Sequence, residues 1–346
     1  MMNKSEVGKT IMFDFRLWDS DDETLIPLFL DVFKAAFPSP QVSTKEIFLW
    51  KHTANPLGPS YIPYAVDVEG GRIASVRPFG PTKLVHNGII YPSFEPLDTA
   101  THPDFGKMGL FTKLTRMCID EGERRGCLFF TNNPNFNSRP GYLKLGSRDV
   151  GGIEILVKPL NITRIGWTYL IKRSSIRGVA QHNLNDNPQR LKQQLPADIQ
   201  ELLDLRMKWR NVWAGYRTPE MLKYRLLSHP FHPYEVVDFK EGIAFLHRVS
   251  RGPLTEGKLV EVFFRVEERS IGPAIKSMIR HIRDRYHLDM LSVVFTVGHP
   301  YYEAFRAAGF YKAPSNISFY LYTFSHCPPD LADKPWALTG ADIDTQ

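Results

Sequence analysis

The chain has 346 residues, more than one ordinary hydrophobic core accommodates, so two domains are expected. Hydrophobic residues make up 43% and aromatic residues 12%, which excludes a largely disordered protein. The net charge of +6 is mild, and no Lys/Arg block is interleaved with aromatics, so nucleic acid is not an expected partner.

No uninterrupted apolar run reaches the ~18 residues of a membrane span, and the first ten residues lack the apolar core of a signal peptide. The cysteines Cys118, Cys127 and Cys327 are odd in number and have neither disulfide nor metal spacing. A cytoplasmic protein with buried thiols, no metal and no membrane partner is expected.

In chain order, residues 11–17 predict a strand. Asp19, Ser20 and Asp21 supply capping chemistry for a helix over 22–37, whose apolar residues recur at helical spacing. Ile47–Trp50 reads as a short helix. Residues 62–68 and 73–78, flanking Glu69-Gly70-Gly71, read as a hairpin. A strand-like run, 91–101, leads into His102–Leu114 (HPDFGKMGLFTKL), where two glycines frame a turn that opens a helix running to about Arg125. Such a turn aims unpaired backbone N–H groups at one point beside the positive helix end, which suits a pyrophosphate. An apolar run, Cys127–Thr131, follows, then an Asn-rich loop, then Tyr142 on a short helix that ends in Leu145-Gly146.

This succession resembles the GNAT superfamily of acyl-CoA-dependent N-acyltransferases. Their turn signature is R/Q-x-x-G-x-G/A, with a Tyr just past the following strand. Gly109 matches the central glycine, while Gly106 stands at the Arg/Gln position and Phe111 at the last small position. The resemblance implies an α/β fold of tandem domains, each a mostly antiparallel mixed sheet flanked by helices. It implies acetyl-CoA or another acyl-CoA as co-substrate and a small-molecule amine, an aminosugar or amino acid, as acceptor. Backbone groups of Thr99, Ala100 and Thr101 would pair with the pantetheine arm. The N–H groups of Lys107, Met108, Gly109, Leu110, Phe111 and Thr112 would hold the pyrophosphate, with charge from Lys107 and Lys113. Tyr142 would protonate the departing thiolate, and Asn135 and Ser138 would hold the pantetheine or the tyrosine.

Glu95 and Asp98 sit on the approach strand at an odd separation, so only one of them should face the cleft as general base. His229 and His232 lie in a proline-bounded turn without further ligands and are read as loop residues, and His102, preceding Pro103, as structural.

Glu46–Lys51 before Asn55-Pro56 echoes Glu220–Arg225 before His229-Pro230, and each is followed by a hairpin. Further on, Gly109 aligns with Gly272, Cys127–Thr131 with Met290–Val294, and Gly146 with Gly309. The expected division is therefore an acyl-CoA-binding domain at 1–160, closed by Ile153–Val157, a basic connector at 161–194, a divergent copy at 195–325 and an extended tail at 326–346. The divergent copy satisfies R-x-x-G-x-A at Arg269–Ala274 but has Phe305 at the Tyr142 position. It is expected to keep the anion turn and to serve a structural or substrate-shaping role. The rival reading is a non-catalytic module that binds acyl-CoA.

Overall fold

A computed structural model describes residues 11–37, 44–171, 181–183, 194–315 and 317–343. Strand β1 (Phe13–Leu17) precedes a 3-10 turn capped by Asp22, whose carboxylate accepts from the Thr24 N–H. Helix α1 (Ile26–Ala36) buries Phe29, Val32 and Phe33. Helix α2 (Lys45–His52) starts at Thr44, whose hydroxyl accepts from the Ile47 N–H. Strands β2 (Pro63–Asp67), β3 (Ile73–Val76), β4 (Phe79–His86), β5 (Ile89–Pro96) and β6 (Ala100–Thr101) lead to helix α3 (Leu110–Arg124). Strand β7 (Phe129–Asn132), helix α4 (Arg139–Lys144) and strands β8 (Arg148–Asp149) and β9 (Ile153–Pro159) follow.

Of the basic connector, helix α5 (Ile162–Ile171) and strand β10 (Gln181–Asn183) are described; its remaining residues lie outside the described ones. The second half runs through α6 (Ile199–Met207), β11 (Trp213–Gly215), the single turn α7 (Pro219–Leu222) with a π-helical extension, β12 (Tyr234–Phe239), β13 (Gly242–Arg251) and β14 (Leu254–Phe264). Then come α8 (Ile271–Arg285), β15 (Met290–Thr296), α9 (Tyr302–Ala307), β16 (Tyr311–Ala313), β17 (Tyr320–Thr323), α10 (Pro329–Ala332) and β18 (Trp336–Ala337). From α8 to β17 the order of helix, strand, helix, strand, strand repeats that from α3 to β9.

The internal repeat has a physical counterpart where its copies meet. Trp50 on α2 and Tyr224, its repeat partner, stack at 5.2 Å between ring centroids. The Trp50 indole N–H donates to the Tyr224 carbonyl at 3.1 Å. Thr44 and Thr218, also repeat partners, cap their helices through the same side-chain bond. Equivalent residues in mutual contact are the mark of a local two-fold arrangement.

The described strands form three sheets. One is β1-β2-β3-β6; the second is β18-β11-β4-β5-β7-β17-β8; the third is β10-β13-β14-β15-β9-β16, with β12 also on β13. Ile153–Val157 therefore does not close the first half. Strand β9 lies between β15 and β16 in the third sheet, while β17, from the second half, lies between β7 and β8. The alternation of apolar residues within a strand fixes that it is half-buried but not which sheet receives it, which is why the pattern misassigned it. Leu156, Tyr320 and Leu321 are wholly buried in their host sheets.

The tail is likewise built in rather than extended. Trp336 and Ala337 pair in parallel with Trp213 and Ala214, and Trp336, Leu338, Ala341 and Ile343 are buried. Trp213, fully buried, packs on Phe129 and Trp336, so the tail helps to cover the first half's core.

Because each half supplies a strand to the other's sheet, the chain should unfold as one unit. Differential scanning calorimetry is expected to give a single transition, and Leu156→Ala should lower its midpoint with a cost of about 2–5 kcal/mol. Two resolved transitions, with only one shifted by the substitution, would contradict the exchange.

Candidate functional site

The turn before α3 has the geometry an anion needs. Pro103–Phe105 forms a 3-10 turn, and the His102 ring nitrogen accepts from the Asp104 N–H at 3.3 Å, so His102 is a capping residue. Lys107 and Gly109 then adopt positive φ, +64° and +76°, and α3 starts at Leu110. Alternating left-handed residues turn successive N–H groups to one concave side. Among the described residues, none of the N–H groups of Lys107, Met108, Gly109, Leu110, Phe111 and Thr112 donates to another protein group; the first intrahelical bond is from Lys113 to the Gly109 carbonyl at 3.1 Å. Residues 106–109 are exposed, whereas Leu110 is buried against Ala65, Ala74 and Phe105 and anchors the helix start.

Beside this turn the second sheet splits. Strands β5 and β7 pair in parallel only at Ser93–Phe129 and Phe94–Phe130. Beyond Phe94 the chain bends at Asp98 (φ +29°), and β6 moves to the first sheet, where it pairs with β3 alone. The outer edge of Ala100–Thr101 thus faces the gap without a partner strand among the described residues. Thr99, at the bend, offers its hydroxyl to the Leu97 carbonyl at 3.3 Å. Such a gap can admit an extended chain that pairs with the free strand edge.

The two faces of the gap differ. On the face of Phe94 and Phe130 lies Tyr142, 2% exposed, against Phe111 at 5.4 Å and Phe130 at 6.1 Å. Phe111 sits where a small residue was expected, and its ring fills the space over Gly141; a Cβ there would meet it at 2.5 Å. The Tyr142 hydroxyl accepts from Arg77 Nη2 at 2.7 Å. Burial raises the phenol above its ordinary pKa, while the Arg77 charge opposes that rise. Asn135 spends its side-chain oxygen on the N–H groups of Asn137 and Ser138 and on the Ser138 hydroxyl, all within 3.1 Å. Both residues therefore shape the loop that carries α4.

On the opposite face, Glu95 and Thr131, the first residues past the paired positions, line an open cavity between the halves. Tyr224, Arg225, Arg217, Lys83 and Asp342 also line it. Arg225 Nη1 stands 3.9 Å from the Glu95 carboxylate. Asp98 is not among the lining residues. It is held by Lys51 Nζ at 3.0 Å and His52 Nε2 at 3.4 Å. Burial alone would raise its pKa; the Lys51 ammonium and the His52 ring outweigh burial and hold it well below the carboxylate range.

His229 accepts the N–H bonds of Phe231 and His232 through Nδ1, and burial pushes its pKa down to about 2. It is a loop residue whose ring lies 4.4 Å from Trp50. Among the described residues no cluster of three or more His, Cys, Asp or Glu is arranged for a metal, and the three cysteines are free and buried. No described helix is long and apolar enough to cross a membrane.

The second copy differs at each point. Helices α3 and α8 both have 15 residues, and aligning their first residues sets Ser270, not Gly272, opposite Gly109. The head of α8 grows straight from a 3-10 turn, with the Ser270 N–H on the Glu267 carbonyl and the Ile271 N–H on the Glu268 carbonyl, so the expected anion turn is absent. Its gap is also filled. Strands β14 and β15 pair only over Glu256–Leu259, and beyond them the tail threads between the two. Leu338 accepts from the Thr296 N–H, Ala341 donates to the Val260 carbonyl, and Thr339 bridges to Phe295. Phe305, at the Tyr142 position, is wholly buried.

Sequence pattern alone does not single out Arg77, Arg225 or the cavity between the halves as parts of a site. Arg77 was visible as a charge inside the apolar run Ile73–Pro78.

No family model and no curated protein matches the sequence. Solved structures match the fold. A conserved protein of unknown function from Enterococcus faecalis V583, described as a probable N-acyltransferase, is 12% identical with a TM-score of 0.61, over 90% of this chain and 73% of that one. A GCN5-related N-acetyltransferase from Anabaena variabilis ATCC 29413 gives 12% and 0.61, over 91% and 74%. Saccharomyces cerevisiae N-myristoyltransferase with bound myristoyl-CoA gives 12% and 0.54, over 92% and 82%.

The Asp98 contacts predict a pH signature. A carboxylate with a lowered folded pKa stabilises above its unfolded value, about 3.9, and loses that contribution as pH falls below it. Asp98→Asn should lower the urea midpoint at neutral pH, and the deficit should shrink below about pH 4. A deficit that does not change with pH would contradict the assignment.

Proposed function

Given a chain with the fold of the GCN5-related N-acetyltransferases, we propose that it is an acyl-CoA-dependent N-acyltransferase whose N-terminal copy, with β17 inserted and β9 given up to the third sheet, does the chemistry. The carrying observation is the row of N–H groups at 107–112 that have no protein partner among the described residues, beside a gap with a strand edge at Ala100–Thr101 likewise unpaired among them. That pair of features fits a diphosphate followed by a pantetheine arm. Acetyl is the default acyl group.

The residues on the two faces of the gap have complementary roles. Glu95, at the cavity, accepts the proton that the attacking amine sheds; Tyr142, on the far face, donates one to the departing sulfur. Thr99, Ala100 and Thr101 orient the thioester by backbone pairing. Asp98, neutralised by Lys51 and His52, holds the strand bend that opens the gap. The acceptor is a small amine, an aminosugar or an amino acid, held in the cavity between the halves. The C-terminal copy shapes that cavity through Tyr224 and Arg225 and does not take a second acyl-CoA.

Calorimetric titration with acetyl-CoA, paired with thiol release over a panel of amines, tests this reading. Binding with release supports transfer. Binding without release across the panel favours a non-catalytic module, a reading to which Gly106 and Phe111 at the signature positions lend weight. Gly109→Val should abolish binding and Gly272→Val should not. Tyr142→Phe should lower turnover by about 10²–10⁴-fold with affinity nearly intact; unchanged turnover would refute the proton-donor role.

A further inference from the structure

Arg77 is wholly buried, and among the described residues its guanidinium meets only neutral groups. Nε donates to Thr115 Oγ1 at 2.9 Å, Nη2 to the Tyr142 hydroxyl at 2.7 Å, and Nη1 to Thr99 Oγ1. The rings of Phe111, Tyr142 and Phe79 surround it, with centroids 4.5, 5.1 and 5.2 Å from Cζ. Among the described residues no carboxylate lies within 4.0 Å of its nitrogens. Cys118, the other titratable neighbour, donates to the Arg77 carbonyl, and burial keeps its thiol neutral.

Buried arginines are ordinarily matched by an acid, because hydroxyls and ring faces only partly replace lost hydration. A cation left without a counter-ion in a dry site favours whatever negative charge develops beside it. Here three parts of the proposed donor site converge on it: the strand bend at Thr99, α3 at Thr115 and the phenol of Tyr142.

We propose that Arg77 is a positioning residue for the transfer: it fixes the Tyr142 hydroxyl and stabilises the negative charge that arises when coenzyme A departs. The proposal rests on the acyl-transfer reading. In the step, the acceptor nitrogen bonds to the thioester carbon and its surplus proton passes to Glu95. The C–S bond breaks with its electron pair on sulfur, and sulfur takes the Tyr142 proton. The phenolate left behind faces Arg77 and the Glu95 acid is neutral, so the charge of the site is conserved. One proton from solvent to Tyr142 and one from Glu95 to solvent restore it.

The test compares the affinities of the full chain for coenzyme A and for desulfo-coenzyme A across neutral to alkaline pH. A cation behind Tyr142 should let the hydrogen-bonded pair of bound thiol and phenol give up one proton, its charge shared between sulfur and oxygen, about one to three pH units below the free thiol, seen as a growing advantage of coenzyme A over the desulfo compound as pH rises. Arg77→Met should still bind desulfo-coenzyme A but lose that advantage, and Arg77→Lys should keep most of it. Should Arg77→Met fail to fold, the wild-type titration and Arg77→Lys decide alone. Binding of both ligands with an unshifted thiol would overturn the Arg77 proposal and leave the donor site standing. Binding of neither would overturn both.

Discussion

Two residue pairs, Ser93–Phe129 and Phe94–Phe130, are all that pair β5 with β7, and the structure around the proposed donor site depends on that pairing stopping there. Past it, the chain bends at Asp98 and Ala100–Thr101 crosses to another sheet. A parallel sheet that parts in this way exposes backbone hydrogen-bonding groups on both sides of the gap, and buried groups of that kind need partners. The bend is costly for a non-glycine residue at positive φ, and the Lys51 and His52 contacts of Asp98 hold it in place. The same bend brings Thr99 within reach of Arg77, and through it Tyr142.

The second copy repeats the architecture and resolves the same problem differently. Its β14 and β15 also part after a short pairing, but there the chain's own tail enters and provides the missing partners. One gap is occupied by protein; the other has no protein partner among the described residues, and it is there that the donor site is proposed. The exchange of β9 and β17 then ties the copies together. It sets the Trp50–Tyr224 stack at their junction, beside the cavity that Glu95 lines.

Much of this was legible in the residues. The glycine turn at 106–109, the helix after it, Tyr142 on its short helix and the repeat of Trp50 by Tyr224 are local patterns, set by backbone conformation and hydrophobic period. The strand exchange, the threaded tail and the surroundings of Arg77 were not. Each depends on which distant strand receives a segment, and period-two alternation in Ile153–Pro159 or Tyr320–Thr323 carries no such address. The R-x-x-G-x-A match at 269–274 misled for a related reason. A motif specifies spacing, whereas the anion turn requires left-handed backbone before the helix; Gly272 lies within the first turn of α8 and does not provide it.

The central claim is that the amides of 107–112 grip a diphosphate while the second gap stays closed. Hydrogen exchange followed by mass spectrometry, with and without acetyl-CoA, addresses both halves of it at once. The account predicts slowed exchange in peptides that cover residues 99–114 and none attributable to ligand at 268–276 or in the tail at 336–343. Protection at 268–276, or release of the tail on addition of acetyl-CoA, would contradict it.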